Sequence, residues 1–300
     1  MPRKHKGIIQ KGGNKGKLKK GYKFTGKRTK TGMPIIKKCK RKYKQKGGNK
    51  SFINQIVGDN GVYVINLKHR IDRWGEVKKQ LDERNITYTR VEATYGKNLT
   101  IDEMKKYWEY HNNENHGIKG QWTWRLDNIF IKKYLENKDN VKSQLGQIGC
   151  AVSHINLWHS LKDKLKTDND WILIMEDDML FIEDINKAFK KTWDKIPKET
   201  GMIYLNFKNN CENKKIVYKD EVVTACKFSG TLGTTAYMVN KSGLDILLNN
   251  IKYPINKQID VLMRDLTIKM NGTYGIRFNK SCSWINCGLL IYRRDMSSDT

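Results

Sequence analysis

The sequence predicts an α/β fold, a mainly parallel sheet flanked by helices, preceded by a disordered basic tail. Three observations predict it. Short apolar runs alternate with helix-length amphipathic segments from residue 61 onward, the pattern of strands joined by crossover helices. One run, Trp171-Ile-Leu-Ile-Met175, ends directly on Glu176, Asp177 and Asp178, and parallel sheets collect ligands at the carboxyl ends of their strands. Charge is divided unevenly. Residues 1–50 hold 20 of the 58 Lys and Arg and no acid, while the remaining 38 basic residues face 31 acidic ones.

The tail, residues 1 to about 55, has nine glycines in its first fifty positions. Its like charges repel and it has little apolar surface to bury, so disorder is the expected state. Residues 56–300 form the expected globular domain. Gly21 to Arg28 is one residue short of a phosphate-binding loop, because Arg28 stands where a Mg²⁺-binding Ser or Thr is required. The tail reads as a solvated polycation. It suits sequence-blind contact with a polyanion such as nucleic acid, or a nuclear-localisation patch. The N-terminus has no apolar signal core, and no run approaches the roughly 18 residues of a membrane span. Six cysteines without a CxxC pair suggest reduced thiols. A cytoplasmic or otherwise soluble chain is the expectation.

Within the globular part the elements follow in order. Gly61–Leu67 is apolar and reads as a first buried strand. A helix follows from Asp72, as N-cap, to about Arg84, with Trp74, Val77 and Leu81 on one face. Ile86–Val91 reads as the second strand. Thr100-Ile-Asp-Glu103 is a capping box opening another helix. Residues 108–147 carry no clear period. Ser153–Leu165 is an amphipathic helix striped by Ile155, Trp158, Leu161 and Leu165. The acidic strand comes next, then a helix over 184–193 and a strand over 201–207. An edge hairpin over 216–228 and a strand over 235–239 follow, with helices over 241–250 and 259–270.

Three uses compete for Glu176, Asp177 and Asp178. Acidic residues favour helix starts, so a solvated cap is one. A Walker B acid is the second, and it lacks a partner phosphate loop. The third is a divalent-metal site, since Mg²⁺ and Mn²⁺ take carboxylates together with phosphate oxygens. Strand alternation places Glu176 and Asp178 on one face and Asp177 on the other unless a turn intervenes.

Several blocks in order resemble glycosyltransferase family 25. They are Val64-Ile-Asn-Leu-Lys-His-Arg-Ile-Asp-Arg-Trp74, Gly149-Cys-Ala-Val-Ser-His154 with Trp158, and Ile174-Met-Glu-Asp-Asp178. Gly233-Thr-Thr-Ala-Tyr237, Pro254-Ile-Asn-Lys-Gln-Ile-Asp260 and Ser297-Ser-Asp-Thr300 continue the series. The resemblance spans residues 61 to 300 and leaves out the basic tail. It implies a GT-A-like fold, a UDP-sugar donor, commonly UDP-galactose, and Mn²⁺ or Mg²⁺ held by Glu176, Asp177 and Asp178. It implies an inverting transfer, which needs a general base. Asp260 is the first candidate, with a helix cap before Val261 as its plain alternative, and Asp178 is the second.

Asn66, Arg70 and Arg73 follow the first strand, where such a fold meets its nucleotide, and an Arg there can pair with diphosphate. A solvated helix start is the alternative for Arg70. Ala93 is small enough to let a base or ribose lie close, or is an ordinary loop alanine. Ser153 and His154 open a helix, and helix N-termini suit anions, although a structural histidine fits equally. Trp158 reads as core, Gly149 and Gly233 as sites of close backbone approach, and Cys150 lacks the surroundings of a nucleophile. The resulting expectation is a metal-dependent hexosyltransferase acting on a glycan or a hydroxylysine-type protein acceptor. The competing expectation is a basic nucleic-acid-associated protein with a silent transferase fold.

Overall fold

The computed structural model describes residues 50–107, 110–111, 126–207, 211, 215–227, 232–253, 255, 257–270, 272–281 and 287–292, with tail strands 8–9, 17–18, 22–28 and 34–38. The chain divides into two compact units, Met1–Asn49 and Lys50–Thr300. In the first, Tyr22–Arg28 pairs antiparallel with Pro34–Lys38, and Ile8–Ile9 with Lys17–Leu18. A strand therefore occupies most of the stretch that resembles a phosphate loop. The second unit opens with helix α1, Phe52–Val57, whose Ile53 is fully buried in the core. It thus begins a few residues before 56. The C-terminal block Ser297–Thr300 lies outside the described residues.

An eight-stranded sheet organises the second unit. Its strands are β1 Val62–Asn66, β2 Thr89–Glu92, β3 Trp171–Glu176, β5 Met202–Tyr204, β7 Ile216–Lys219, β8 Val223–Lys227, β9 Ala236–Asn240 and β10 Thr273–Phe278. Their order is β7-β8-β10-β5-β9-β3-β1-β2. The parallel pairs β1–β2, β1–β3 and β5–β10 and the antiparallel pairs of β8 and β9 leave six strands pointing one way. The mainly parallel α/β expectation holds. Short strands β4 Met179–Phe181, β6 Asn206–Phe207, β11 Cys287–Gly288 and β12 Leu290–Tyr292 pair beside it, β4 with β12 and β6 with β11.

Both faces of the sheet are covered, which is why β1 and β3 read as unbroken apolar runs rather than alternating ones. Tyr63, Ile65, Ile172 and Ile174 pack in one cluster with helices α5 Lys142–Leu161, α7 Lys241–Asn250 and α8 Ile259–Thr267. Val62, Val64, Leu173 and Met175 face the other way, toward α1, α2 Ile71–Glu83 and α6 Ile185–Thr192. The period of two along each strand sorts these residues. Two short or peripheral helices, α3 Ile101–Lys105 and α4 Asn128–Glu136, complete the layer. The capping box at Thr100 and Glu103 is present, with both reciprocal bonds made.

Three sequence expectations shift. Helix α2 starts at Ile71 with Arg70 as N-cap, because Asp72 turns back to pair with the Arg70 guanidinium at 2.9 Å. Helix α5 begins at Lys142, eleven residues before Ser153, so Ser153 and His154 lie well inside it rather than at its start. The anion-binding argument from a helix N-terminus therefore falls for both. Cys211 and Cys226 form a disulfide, Cα–Cα 5.7 Å, and Cys287 is also disulfide-bonded. Cys211 and Cys226 meet through the fold and carry no local spacing signal. Disulfides persist in oxidising compartments and are rare in the cytosol, which corrects the expectation of reduced thiols. No described helix is long and apolar enough to cross a membrane.

Helix α5 lies hard against the loop after β2. A Cβ on Gly149 would meet the Thr94 carbonyl oxygen at 2.6 Å and the Gly96 nitrogen at 2.8 Å. Gly149→Ala is expected to destabilise the fold by about 1–3 kcal/mol, because overpacking outweighs the gain in helix propensity. Urea midpoints check this, and an unchanged or raised midpoint would show that the loop yields freely.

Candidate active site

The carboxyl end of β3 carries the acidic cluster out of a dry interior. Glu176 continues the alternation of Ile172 and Ile174 and so faces α5. Two residues of turn then carry Asp177 and Asp178 round to α2. Gln80 of α2 fixes the far side of this turn. Its amide oxygen accepts from the Phe181 nitrogen at 2.8 Å and its amide nitrogen donates to the Met179 carbonyl at 3.1 Å. The turn redirects Asp178, so the strict two-face split expected from strand alternation does not hold.

All three carboxylates line one cleft of about 240 Å³. Arg73, from the first turn of α2, reaches Asp177 at 3.2 Å and Asp178 at 3.5 Å, with its side chain buried. Asn66, the last residue of β1, donates its amide to Asp177 and to the Arg70 carbonyl, the latter at 3.2 Å, and accepts from Arg90. One guanidinium thus faces two buried acids with a third beside them. Burial pushes the Asp177 carboxyl up, against the pull of Asn66 and Arg73. Burial, with the charges of Glu176 and Asp177, pushes Asp178 up to about 8. Asp178 Oδ1 is buried with no hydrogen-bond partner among the described residues.

Glu176 is held differently. Its Oε1 accepts from Thr234 Oγ1 at 2.6 Å, faces His154 Nε2 at 3.1 Å and lies 3.8 Å from Cys150 Sγ. Burial alone would raise its pKa, but His154, Thr234 and Cys150 outweigh it and leave the carboxyl below its ordinary value. Behind it, His154 Nδ1 meets the Tyr237 hydroxyl at 2.9 Å, and the Trp158 indole donates to the same hydroxyl at 2.7 Å. Gly233 precedes Thr234 at φ +129°, a conformation glycine accepts and side chains resist. Its role is conformational rather than one of close contact.

The expected site residues separate into groups. Glu176, Asp177, Asp178, Arg73, Ala93, Ser153 and His154 line the cleft together. Asn66 stands behind it, bound to the acidic cluster. Arg70 is not among the lining residues, and its guanidinium pairs with Asp72. Ser153 ties elements together, donating to the Gly149 carbonyl at 2.6 Å and accepting from the Thr94 nitrogen at 2.8 Å. Asp260 does not line the cleft. It sits in the first turn of α8, which Gln258 caps, with its Oδ1 accepting from the Val261 nitrogen. Its charge still reaches Cys150, whose thiol is raised first by burial, then by Glu176, and further by Asp260 and Asp178. A thiol so held is protonated and no nucleophile. Trp158 is fully buried.

Sequence reasoning missed Thr234, Tyr237, Thr94 and Tyr95. The first two lie in the block Gly233–Tyr237 but carry no local signature of contact with Glu176. The last two line the cleft just past Ala93.

The cluster suits a hard divalent cation. Three adjacent carboxylates, one with an orphaned buried oxygen, supply the oxygen ligands such ions take. Cys150, His154 and Glu176 also present ligand atoms within 4.8 Å of one another, a softer set that belongs to a different class of metal.

Residues 59–263 match the family described as glycosyltransferase family 25 (LPS biosynthesis protein). Procollagen galactosyltransferase 2 of Mus musculus is 23% identical over 195 residues, 64% of this chain and 28% of that protein. Procollagen galactosyltransferase 1-A of Xenopus laevis is 29% identical over 120 residues, 40% and 16% of the two. A glycosyltransferase 25 family member of Aedes aegypti is 23% identical over 209 residues, 68% and 30%. The chain spans less than a third of the length of these three relatives.

The Asp178 carboxyl generates a pH test. In the fold, burial and the neighbouring acids hold it up to about 8, far above the roughly 3.9 of an exposed aspartate. The folded state binds more protons across that window, so stability falls as pH rises from about 4 to about 8, by up to about 1.4 kcal/mol per pH unit. Asp178→Asn is expected to flatten that slope in EDTA-treated protein. Urea midpoints across the window check it, and equal slopes in both proteins would remove the assignment.

Proposed function

The chain belongs to glycosyltransferase family 25, and on that premise we propose that it moves a galactosyl group from UDP-galactose to a hydroxyl of a glycan or a hydroxylysine-type protein acceptor. One observation carries the reading. Glu176, Asp177 and Asp178 converge on a single cleft at the carboxyl ends of parallel strands, with Asp178 Oδ1 buried and without a hydrogen-bond partner among the described residues. Relatives named as procollagen galactosyltransferases support galactose as the sugar.

The roles follow from position. Ile65, Leu67, Ala93, Thr94, Tyr95 and Gly96 form the wall on which the nucleoside rests. Ala93 keeps that wall shallow, and Tyr95, edge-on to His69 at 4.8 Å, supplies an aromatic surface. Asp177, Asp178 and the free oxygen of Glu176 would hold Mn²⁺ or Mg²⁺, which would stabilise the negative charge that builds on the departing diphosphate. Arg73 keeps the carboxylates together. Asn66 and Arg90 brace Asp177 from behind, and Arg90 lies over the Trp74 ring at 4.7 Å.

Displacement with inversion needs a group to take the acceptor proton on the face opposite the leaving diphosphate. We propose Asp260 for that role: it lies outside the cleft lining, in the first turn of α8, but its charge is felt at Cys150, which lines the cleft. Arg70, bound to Asp72, is assigned to shaping the entry of α2. The basic tail is assigned a sequence-blind attraction to polyanionic surfaces, separate from catalysis.

A panel of UDP- and GDP-sugars with Mn²⁺, assayed for donor hydrolysis without acceptor, tests the reading. UDP-galactose is expected to be turned over and EDTA to stop it. Asp178→Ala and Glu176→Ala are each expected to lower turnover by about a hundredfold or more while the fold persists by circular dichroism. Unchanged turnover in both variants sinks the site assignment.

A further inference from the structure

Three buried groups behind Glu176 form a hydrogen-bonded line whose direction is set by chemistry. The Trp158 indole nitrogen is donor only, and it donates to the Tyr237 hydroxyl oxygen at 2.7 Å. The Tyr237 hydrogen must then go elsewhere, and the other partner of this hydroxyl is His154 Nδ1 at 2.9 Å. If Nδ1 carried a hydrogen, the Tyr237 O–H would have no acceptor among the described residues in a fully buried position, at a cost of roughly 1–3 kcal/mol. Nδ1 is therefore the acceptor and the ring hydrogen sits on Nε2. It points at Glu176 Oε1, 3.1 Å away.

We propose that Trp158 and Tyr237 are positioning residues for Glu176. Acting through His154, they hold the imidazole in its Nε2–H tautomer, so that Oε1 is committed to the protein and Oε2 is left to face the cleft. Thr234 supplies a second donor to the same oxygen at 2.6 Å. Glu176 Oε2 makes no hydrogen bond among the described residues, and Glu176 lines the cleft. The arrangement presents one carboxylate oxygen, at one angle, to whatever ligand occupies the cleft. It also takes the Nε2 lone pair away from the Cys150, His154 and Glu176 triangle, which is thereby held by hydrogen bonds. The line joins helix α5 to strands β9 and β3, so its geometry is set by elements and not by loops. The catalytic consequence rests on the transferase reading, and the tautomer does not.

The test has two arms. Long-range ¹⁵N–¹H spectra of His154 in the full chain are expected to show the Nε2–H tautomer alone, and Tyr237→Phe is expected to lose that exclusivity. In turnover of UDP-galactose, Tyr237→Phe is expected to lower kcat about tenfold, the lower end for partners one step from a reacting group, with the donor KM little changed. His154→Gln places an amide donor near the Nε2 position without needing Tyr237. Adding Tyr237→Phe to it is expected to cost little further activity, whereas independent structural damage would add. Trp158→Phe removes the first donor and gives the same tautomer readout if Tyr237→Phe folds poorly. An Nδ1–H tautomer in the parent chain, or additive losses in the double variant, overturns the proposal. A parent chain that turns over no UDP-sugar overturns the transferase reading instead, and the spectra still decide the line of bonds.

Discussion

Arg73 holds Asp177 and Asp178 at 3.2 and 3.5 Å, and the site is arranged around how unequally this one guanidinium serves the acids beside it. Burial, with Glu176 and Asp177 close by, holds the Asp178 carboxyl up to about 8. Removing ions from water is costly unless they are paired and hydrogen-bonded. The chain handles the three residues unequally. Asp177 is paired and braced by Asn66. Glu176 is satisfied through three donors on one oxygen. Asp178 retains a buried oxygen with no hydrogen-bond partner among the described residues. A purely structural cluster gains nothing from an orphaned carboxylate oxygen, and the proposed cation site rests on this unevenness.

The sheet makes this placement possible. β3 lies between β1 and β9, buried on both faces, so its last side chains emerge at a fixed place between α5 and α2. Alternation sends Glu176 toward α5, and the turn clamped by Gln80 sends the next two acids toward Arg73. Strand period and turn geometry together divide one tripeptide between two environments a few ångströms apart. Their differing pKa shifts follow from that division.

Much of the scaffold was legible in the sequence because the signals were local. The apolar runs of β1 and β3, the capping box at Thr100 and the 241–250 helix each carry their own evidence. The start of α5 was not legible, since Gly146 and Gly149 weaken helix propensity, and at Gly149 tertiary contact with Thr94 and Gly96 demands a residue without a side chain. Asp72 reads as a cap until Arg70 is seen to claim it. The acidic cluster stood out because three carboxylates after a buried run are unusual at any distance. Tyr237 and Thr234 did not stand out, being far from Glu176 in sequence and ordinary in type. The Cys211–Cys226 bridge likewise depends on pairings across the fold, invisible to spacing.

Helix α5 touches the Thr94–Gly96 wall of the cleft at one level and the acidic cluster at the next. Gly149 and Ser153 meet Thr94 and Gly96, while Cys150, His154 and Trp158 serve Glu176 from the same rod. The two halves of the cleft are thus mechanically one body. A bulkier side chain on the wall would push on the helix and swing Glu176 with it. On the proposed reading, donor preference and carboxylate alignment would be inherited together, and directed change in one should be screened for drift in the other.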